Sequence, residues 1–217
     1  MKTKAAIFLN GAYPPDHSYF YIREYKQALG DTMIIVTDGG LQFFINHELF
    51  PDLIIGDWDS ADIRLLKAFP KALTITAPAT DKAYTDGELA IQWCIDNSIK
   101  EVVLYGGIDT SFETDQLFGN VLMMFSYKAN FMSIIMRDYC QEIIPLKDET
   151  ISGIGKPGDM LSVIPISKEI TYEAEGLKFD PQGKTYKFGE TTPLRNELVE
   201  DVFNIKVKGK ALLIRHF

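Results

Sequence analysis

Only two cysteines, Cys94 and Cys140, occur in the 217 residues. They lie far apart and lack the spacing of metal ligands. Their scarcity points to a reducing compartment, with one disulfide the most they could form. Basic residues are in the minority, 22 Lys and Arg against 30 Asp and Glu, for a formal net charge of −8. That argues against a nucleic-acid binder held by a basic patch. It also means that any polyanion site must be made attractive locally, by metal ions or a few placed cations. No apolar run approaches the ~20 residues of a membrane span, and Ala5–Leu9 is too short for a signal peptide. A soluble cytoplasmic chain with no membrane partner is expected. The three histidines, His17, His47 and His216, are scattered, which assigns them surface or packing roles. Familiar nucleotide and hydrolase signatures are missing too. Gly39-Gly40 is not part of a G-x-G-x-x-G, no G-x-x-x-x-G-K-[ST] occurs, and no G-x-S-x-G surrounds Ser60.

What is present is a substantial hydrophobic complement, 46% of the chain, enough for one large domain or two small ones. Short apolar runs alternate with helical patterns through the first two-thirds. Ala5–Leu9, Met33–Val36, Leu53–Ile55, Leu73–Ile75, Val102–Tyr105 and Met132–Met136 read as strands. Tyr19–Leu29, Leu41–His47, Ala61–Phe69, Asp86–Asn97 and Asp115–Lys128 read as helices. Such alternation implies parallel βαβ units. Thr85-Asp86-Gly87-Glu88 has the form of a capping box opening one helix. After about Ile144 the texture changes. A glycine-containing stretch, Ile151–Asp159, precedes β-rich runs at Met160–Ile166, Ile170–Ala174, Lys184–Phe188, Val202–Lys208 and Ala211–Arg215. Lys208-Gly209-Lys210 reads as a hairpin turn between the last two. The expected fold is therefore α/β: a mostly parallel sheet with flanking helices over residues 1–145, then a small antiparallel β domain over 146–217.

The chemistry gathers where the strands end. Leu53–Ile55 runs into Gly56-Asp57-Trp58-Asp59-Ser60. In an extended chain Asp57 and Asp59 face the same side, and two such carboxylates repel unless a cation lies between them. Oxygen ligands of this kind suit Mg²⁺, usually beside substrate phosphates. Asp59 or Ser60 could instead cap the following helix, but that leaves Asp57 unexplained. The other strands end similarly: Asn10-Gly11, Asp38-Gly39-Gly40, Gly106-Gly107, and Asp81-Lys82 leading to Asp86. Ligands of open parallel sheets bind at the strands' carboxyl ends, where glycines permit close approach and helix N-termini offer N–H groups to phosphate. Asp and Gly also make ordinary turns, yet four such clusters on one edge favour a phosphate–metal site.

At these residues the chain resembles the thiamine pyrophosphokinase family over nearly its whole length. Thr37-Asp38-Gly39-Gly40 is similar to the family's A-D-G-G, and Pro51 to Ser60 to P-D-x-I-x-G-D-F-D-S, the most specific match. Lys82 to Asp86 resembles K-D-x-T-D, and Asp115 to Asn120 resembles D-H-x-L-x-N. Glu175 to Phe179 and Arg195-Asn196-Glu197 resemble G-L-x-Y and S-N-E. The chain departs from these patterns at Ala83, Gln116 and Arg195. It also lacks the arginine usual after Gly-Gly, with Glu113 in its place at the end of a longer loop.

The resemblance implies transfer of pyrophosphate from ATP to thiamine, giving thiamine diphosphate and AMP, by a homodimer whose C-terminal β-sandwich binds thiamine. It implies Mg²⁺ at Asp57, Asp59 and Asp86, and Lys82 neutralising phosphate charge. Asn10, Gly11, Gly39, Gly40, Gly106 and Gly107 would line the nucleotide, with Asp115, Gln116 and Asn120 at its phosphate end. Asp38 would be a further ligand or orient the acceptor, and Arg195 and Asn196 would close the acceptor pocket from either chain. The substitutions keep two alternatives open, a pyrophosphokinase for another alcohol such as a hydroxymethylpterin and a non-catalytic nucleotide-binding module.

Overall fold

The structure, a computed structural model, describes residues 2–56, 63–76, 84–110 and 113–217, with Ile63 and Arg64 described by backbone alone. The chain packs as two compact units, Met1–Tyr139 and Cys140–Phe217. The division falls ahead of the 145/146 boundary expected from the sequence. The reason is that Gln141–Leu146 already belongs to a long strand of the second unit.

The first unit alternates as its periodicity requires: β1 (Lys4–Phe8), α1 (Ser18–Ala28), β2 (Thr32–Thr37), α2 (Leu41–Asn46), β3 (Leu53–Gly56), β4 (Leu73–Thr76), α3 (Asp86–Asp96), β5 (Glu101–Tyr105), α4 (Thr114–Tyr127) and β6 (Ser133–Arg137). All described strand pairs are parallel, in the order β6-β5-β1-β2-β3-β4. The chain leaves β1 toward β2 but leaves β5 toward β6, so the strand order reverses between β1 and β5. A crevice at such a reversal is where open α/β sheets bind ligands. The central strands are apolar on both faces because helices cover both; Ile7, Phe8, Ile35, Val36, Leu53 and Ile54 are fully buried. The capping box is formed as the sequence predicts. Glu88 N–H donates to Thr85 Oγ1 at 3.2 Å, and Thr85 N–H to Glu88 Oε2 at 3.3 Å. The segment expected as a helix over Ala61–Phe69 is, in its described part, a 3₁₀ helix, Ile63–Ala68.

The second unit is antiparallel: β7 (Gln141–Ile154), β8 (Met160–Pro165), β9 (Glu169–Glu175), β10 (Thr185–Lys187), β11 (Asn196–Glu197) and β12 (Val202–His216). One expectation is corrected: Val202–Arg215 is one strand rather than a hairpin. The glycine-containing stretch Ile151–Asp159 begins inside β7, which ends at Ile154. Lys208-Gly209 forms a bulge, two residues opposite Asp148 alone, between the pairs Val207–Glu149 and Lys210–Lys147. Gly209 has φ +99°, a conformation suited to glycine, and its N–H donates to Asp148 Oδ1 at 2.8 Å. The glycine bends a strand instead of ending it. β12 pairs with β7 on both sides of the bulge, with β9 before it and with β8 after it. One strand thereby serves two sheet layers, which is how sheet corners are made.

Candidate active site

The ends of β1, β2, β3 and β5 come together with the first turn of α3 and the middle of α4. Leu9 N–H bonds the Tyr105 carbonyl at 2.8 Å and Ala12 N–H the Asp109 carbonyl at 2.8 Å, tying the tip of β1 to the tip of β5. Gly11 lies so close to the Gly106 carbonyl that a Cβ there would overlap it, and the Asp109 carbonyl would stand 2.8 Å away. Gly106 itself has φ +69° and packs beneath Tyr13, whose hydroxyl donates to the Leu9 carbonyl at 2.7 Å. Burial pushes the Tyr13 phenol well above its usual range, with Tyr21 adding to the shift. It is a neutral donor that braces the loop.

Asn10 projects across Gly39, where a Cβ would collide with its side chain. Asp38 is only 2% exposed, at the mouth of β2. Gly56 accommodates it, since a Cβ on Gly56 would lie 2.9 Å from the Asp38 Cβ. Asn120 reaches from α4 to donate to the Gly107 carbonyl at 3.1 Å. Gly87 packs near Leu9, Met123 and Thr85, which brings the start of α3, with half-buried Asp86, to the same edge. Asn10, Gly11, Asp38, Gly39, Gly40, Gly106, Gly107 and Asn120, widely separated in sequence, are thus collected around one crevice. Asp115 and Gln116 are exposed in the first turn of α4, with Gln116 N–H bonded to the Glu113 carbonyl at 3.0 Å and to Asp115 Oδ1 at 3.1 Å. Asp57, Asp59 and Lys82 lie outside the described residues.

A cleft of about 500 Å³ opens beside this edge. Gly11 and Gly39 form its inner margin, and Tyr13, Gln42, Phe43, Asn46 and His47 its wall. The sequence motifs do not single out these wall residues. Gln42 and Asn46 stand one helical turn apart, a spacing that places both on one face of α2, which is the signal that could have found them. His47 takes the packing role among those expected of it, its ring 4.6 Å from that of Phe43, and it lines the cleft.

In the second unit, Asn196 is 7% exposed and its amide clasps Phe179. Phe179 N–H donates to Asn196 Oδ1 at 3.1 Å, and Asn196 Nδ2 donates to the Phe179 carbonyl at 2.7 Å. Glu197 N–H donates to the same Oδ1 at 2.9 Å. Arg195 adopts φ +57°, its N–H bonded to Ser162 Oγ at 2.9 Å. Both residues border a cavity of about 320 Å³ walled by Tyr172, Phe179, Pro181 and Tyr186.

Among the described residues no group of three or more His, Cys, Asp or Glu side chains forms a metal site, and no helix is long and apolar enough to cross a membrane. The family model described as the catalytic domain of thiamin pyrophosphokinase matches residues 26–136. A curated relative, thiamin pyrophosphokinase 1 of Caenorhabditis elegans, is 23% identical over 177 residues, covering 76% of this chain and 70% of its own. Among solved structures, thiamine pyrophosphokinase from Bacillus subtilis superposes with a TM-score of 0.82 at 22% identity, covering 98% of each chain. The enzyme from Candida albicans gives 0.79 at 15% identity, covering 98% of this chain and 90% of its own. The structural likenesses speak for the fold, and the family match spans just over half the chain: the protein belongs to the thiamin pyrophosphokinase family.

Proposed function

We propose that this chain is a thiamine pyrophosphokinase that works with Mg²⁺ at the crevice formed by the ends of β1, β2, β3 and β5. The thiamine hydroxyl oxygen attacks the β-phosphorus of ATP, the bond from that phosphorus to the α–β bridging oxygen breaks, and AMP leaves. One observation carries the placement. The buried carboxylate of Asp38 sits against Gly56, the last residue of β3, which Asp57 and Asp59 follow in the sequence.

The donor chemistry fits a hard divalent cation. Asp57, Asp59 and Asp86 would hold Mg²⁺, with Asp38 beside them, and carboxylate oxygens are the ligands this ion takes. When bound, Mg²⁺ supplies charge neutralisation on the phosphate oxygens. The chain supplies position. Gly11, Gly39, Gly106 and Gly107 let the nucleotide lie on the backbone, Asn10 and Asn120 border it, and Lys82 offsets phosphate charge. Asp115 and Gln116 belong to the phosphate end of the reading, at the exposed start of α4. One of the carboxylates takes the hydroxyl proton. Thiamine is contacted by the β unit through Arg195 and the segment that Asn196 clasps. The reading includes a homodimer and a cytoplasmic setting, the latter supported by the scarcity of cysteine.

The test is acceptor dependence. With ATP and Mg²⁺ present, ATP consumption should rise from background on addition of thiamine. Stimulation by a hydroxymethylpterin and not by thiamine would overturn the assignment.

A further inference from the structure

Asp52 belongs to the most specific sequence motif, Pro51 to Ser60, yet the crevice makes no use of it. β3 leads to the crevice at its carboxyl end, whereas Asp52 stands just before β3, at the opposite edge of the sheet. The 4 residues of β3 carry the chain about 13 Å from it to Gly56. At that distance Asp52 touches no reacting atom. Its bonds are nevertheless numerous. Asp52 N–H donates to the Ile34 carbonyl at 2.9 Å, and Asp52 Oδ2 accepts from Ile34 N–H at 2.9 Å. Both backbone groups of Ile34 on β2 are therefore held by Asp52. Lys2 Nζ donates to the same Oδ2 at 2.8 Å, and Leu73 N–H donates to the Asp52 carbonyl at 2.9 Å. One residue ties together the segment before β1, the start of β2 and the start of β4.

The composition of the strands explains why a polar pin is needed there. β2 and β3 pair as Ile35 with Leu53, Val36 with Ile54 and Thr37 with Ile55, and all of these residues are buried. In a sheet with one solvated face, slipping a strand by one residue turns its apolar side chains to water, and that cost fixes the register. β3 is covered on both faces. A slip there exchanges one buried apolar side chain for another, so the hydrophobic pattern resists it weakly. The site, in contrast, depends on the register. Asp38 follows Thr37 directly and lies against Gly56, where a Cβ would come within 2.9 Å of its own. A slip of one residue would set Ile55 in place of Gly56 against that buried carboxylate.

We propose that Asp52 is a positioning residue for the reaction. By clasping Ile34 it sets the register of β3 on β2, and so fixes Gly56 beside Asp38 at the point where the chain enters Asp57 and Asp59. The proposal rests on the reading that these carboxylates hold Mg²⁺. The hydrogen bond to Ile34 carries the effect, and the ion pair does not. The Lys2 and Asp52 side chains are 32% and 40% exposed, and pairs of that kind contribute little.

Three variants separate these roles. Asp52→Ala removes the acceptor, Asp52→Asn keeps an oxygen that can accept from Ile34 N–H, and Lys2→Gln removes the cation. Each is compared with the wild type under conditions where circular dichroism shows it folded. Mn²⁺ binding is followed by electron paramagnetic resonance, with Mn²⁺ standing in for Mg²⁺. The register is followed by nuclear Overhauser contacts between the Ile35 and Leu53 backbones. Asp52→Ala should bind Mn²⁺ about tenfold more weakly, the size of one lost buried hydrogen bond, and lose intensity in the Ile35–Leu53 contacts. Its kcat should fall while KM for thiamine stays as in the wild type. Asp52→Asn and Lys2→Gln should bind Mn²⁺ within about twofold of the wild type. Wild-type Mn²⁺ affinity in Asp52→Ala, with only a lower urea midpoint, would overturn the proposal and leave Asp52 a stabilising residue. So would an equal loss in Asp52→Ala and Lys2→Gln, which would assign the effect to charge. Absence of Mn²⁺ binding in the wild type would strike the metal reading instead, and the Ile35–Leu53 contacts would still decide whether Asp52 sets the register.

Discussion

The two units solve the problem of holding polar groups in different ways. In the first, the course of the backbone sets the positions. Parallel strands end on one edge, glycines let neighbouring loops touch, and Asp38, Asn10 and Asn120 are placed by where β1, β2 and α4 run. In the second, a side chain sets them. Asn196 makes three hydrogen bonds of 2.7–3.1 Å that fix Phe179 and Glu197 beside a cavity walled by Tyr172, Phe179, Pro181 and Tyr186. A site set by sheet topology resists most side-chain changes but not the addition of a Cβ where backbones meet. A site set by one amide depends on that amide.

The largest effect should come from the carboxylates that follow β3. Asp57→Asn and Asp59→Asn should each lower kcat about a hundredfold or more, since a metal's contribution is several kcal/mol, with the circular dichroism spectrum unchanged. Near-native turnover at limiting Mg²⁺ would show the pair to be structural only. Next is a backbone contact in the first unit. Gly11→Ala drives a methyl into the Gly106 and Asp109 carbonyls, and should cost about 3 kcal/mol of stability, read as a lower urea midpoint. Asn196→Ala should cost about 2 kcal/mol, from three bonds of roughly 0.5–1.5 kcal/mol each, and should raise KM for thiamine while leaving KM for ATP in place. A rise in both would erase the division of labour between the units.

The effect that vanishes at neutral pH, and is the smallest there, is a pH slope. Burial lifts the Cys94 thiol on α3 to about 12, so it stays protonated in the fold after the unfolded thiol has ionised. The folded state then holds the extra proton, and stability must fall as pH rises. Full stability should persist below about pH 8.5, the ordinary thiol value. Between there and about 12 the loss should reach about 1.4 kcal/mol per pH unit from this group. Cys94→Ala should flatten the slope, which alkaline denaturation curves would measure. An identical slope in the variant would assign the decline to other groups, such as Tyr172 of the second unit, also raised by burial.

Much of the first unit is legible in the sequence because period and composition agree there. Five of the six apolar runs, each of three to five residues, end at Asn, Gly or Thr, and the helices carry apolar stripes, with Thr85 and Glu88 announcing α3 outright. The strand order is not legible, because nothing local distinguishes β5 beside β1 from β5 at an edge. The reversal that makes the crevice is a long-range pairing. In the second unit the local pattern misleads at Gly209: a glycine serves a bulge as well as a turn, and only the partner strand decides. Of the residues that the strand-end motifs name, Asn10, Gly11, Asp38, Gly39, Gly40, Gly106, Gly107 and Asn120 lie around one crevice, and Asp115 and Gln116 lie exposed at the start of α4. For Asn196 the resemblance implies a substrate contact; it lines the cavity and its bonds to Phe179 also hold the cavity wall. Gln42 and Asn46 are legible only as a pair one turn apart on α2; the cleft they line is a tertiary feature that no local pattern shows.

The central claim is that this chain moves a pyrophosphoryl group, with attack on the β-phosphorus, to thiamine. The direct measurement is product stoichiometry from one reaction of the purified protein with ATP, Mg²⁺ and thiamine, separating all nucleotides and thiamine phosphates. AMP and thiamine diphosphate should form in equal amounts, both lost in Asp57→Asn. ADP with thiamine monophosphate, or AMP without any phosphorylated thiamine, would contradict it.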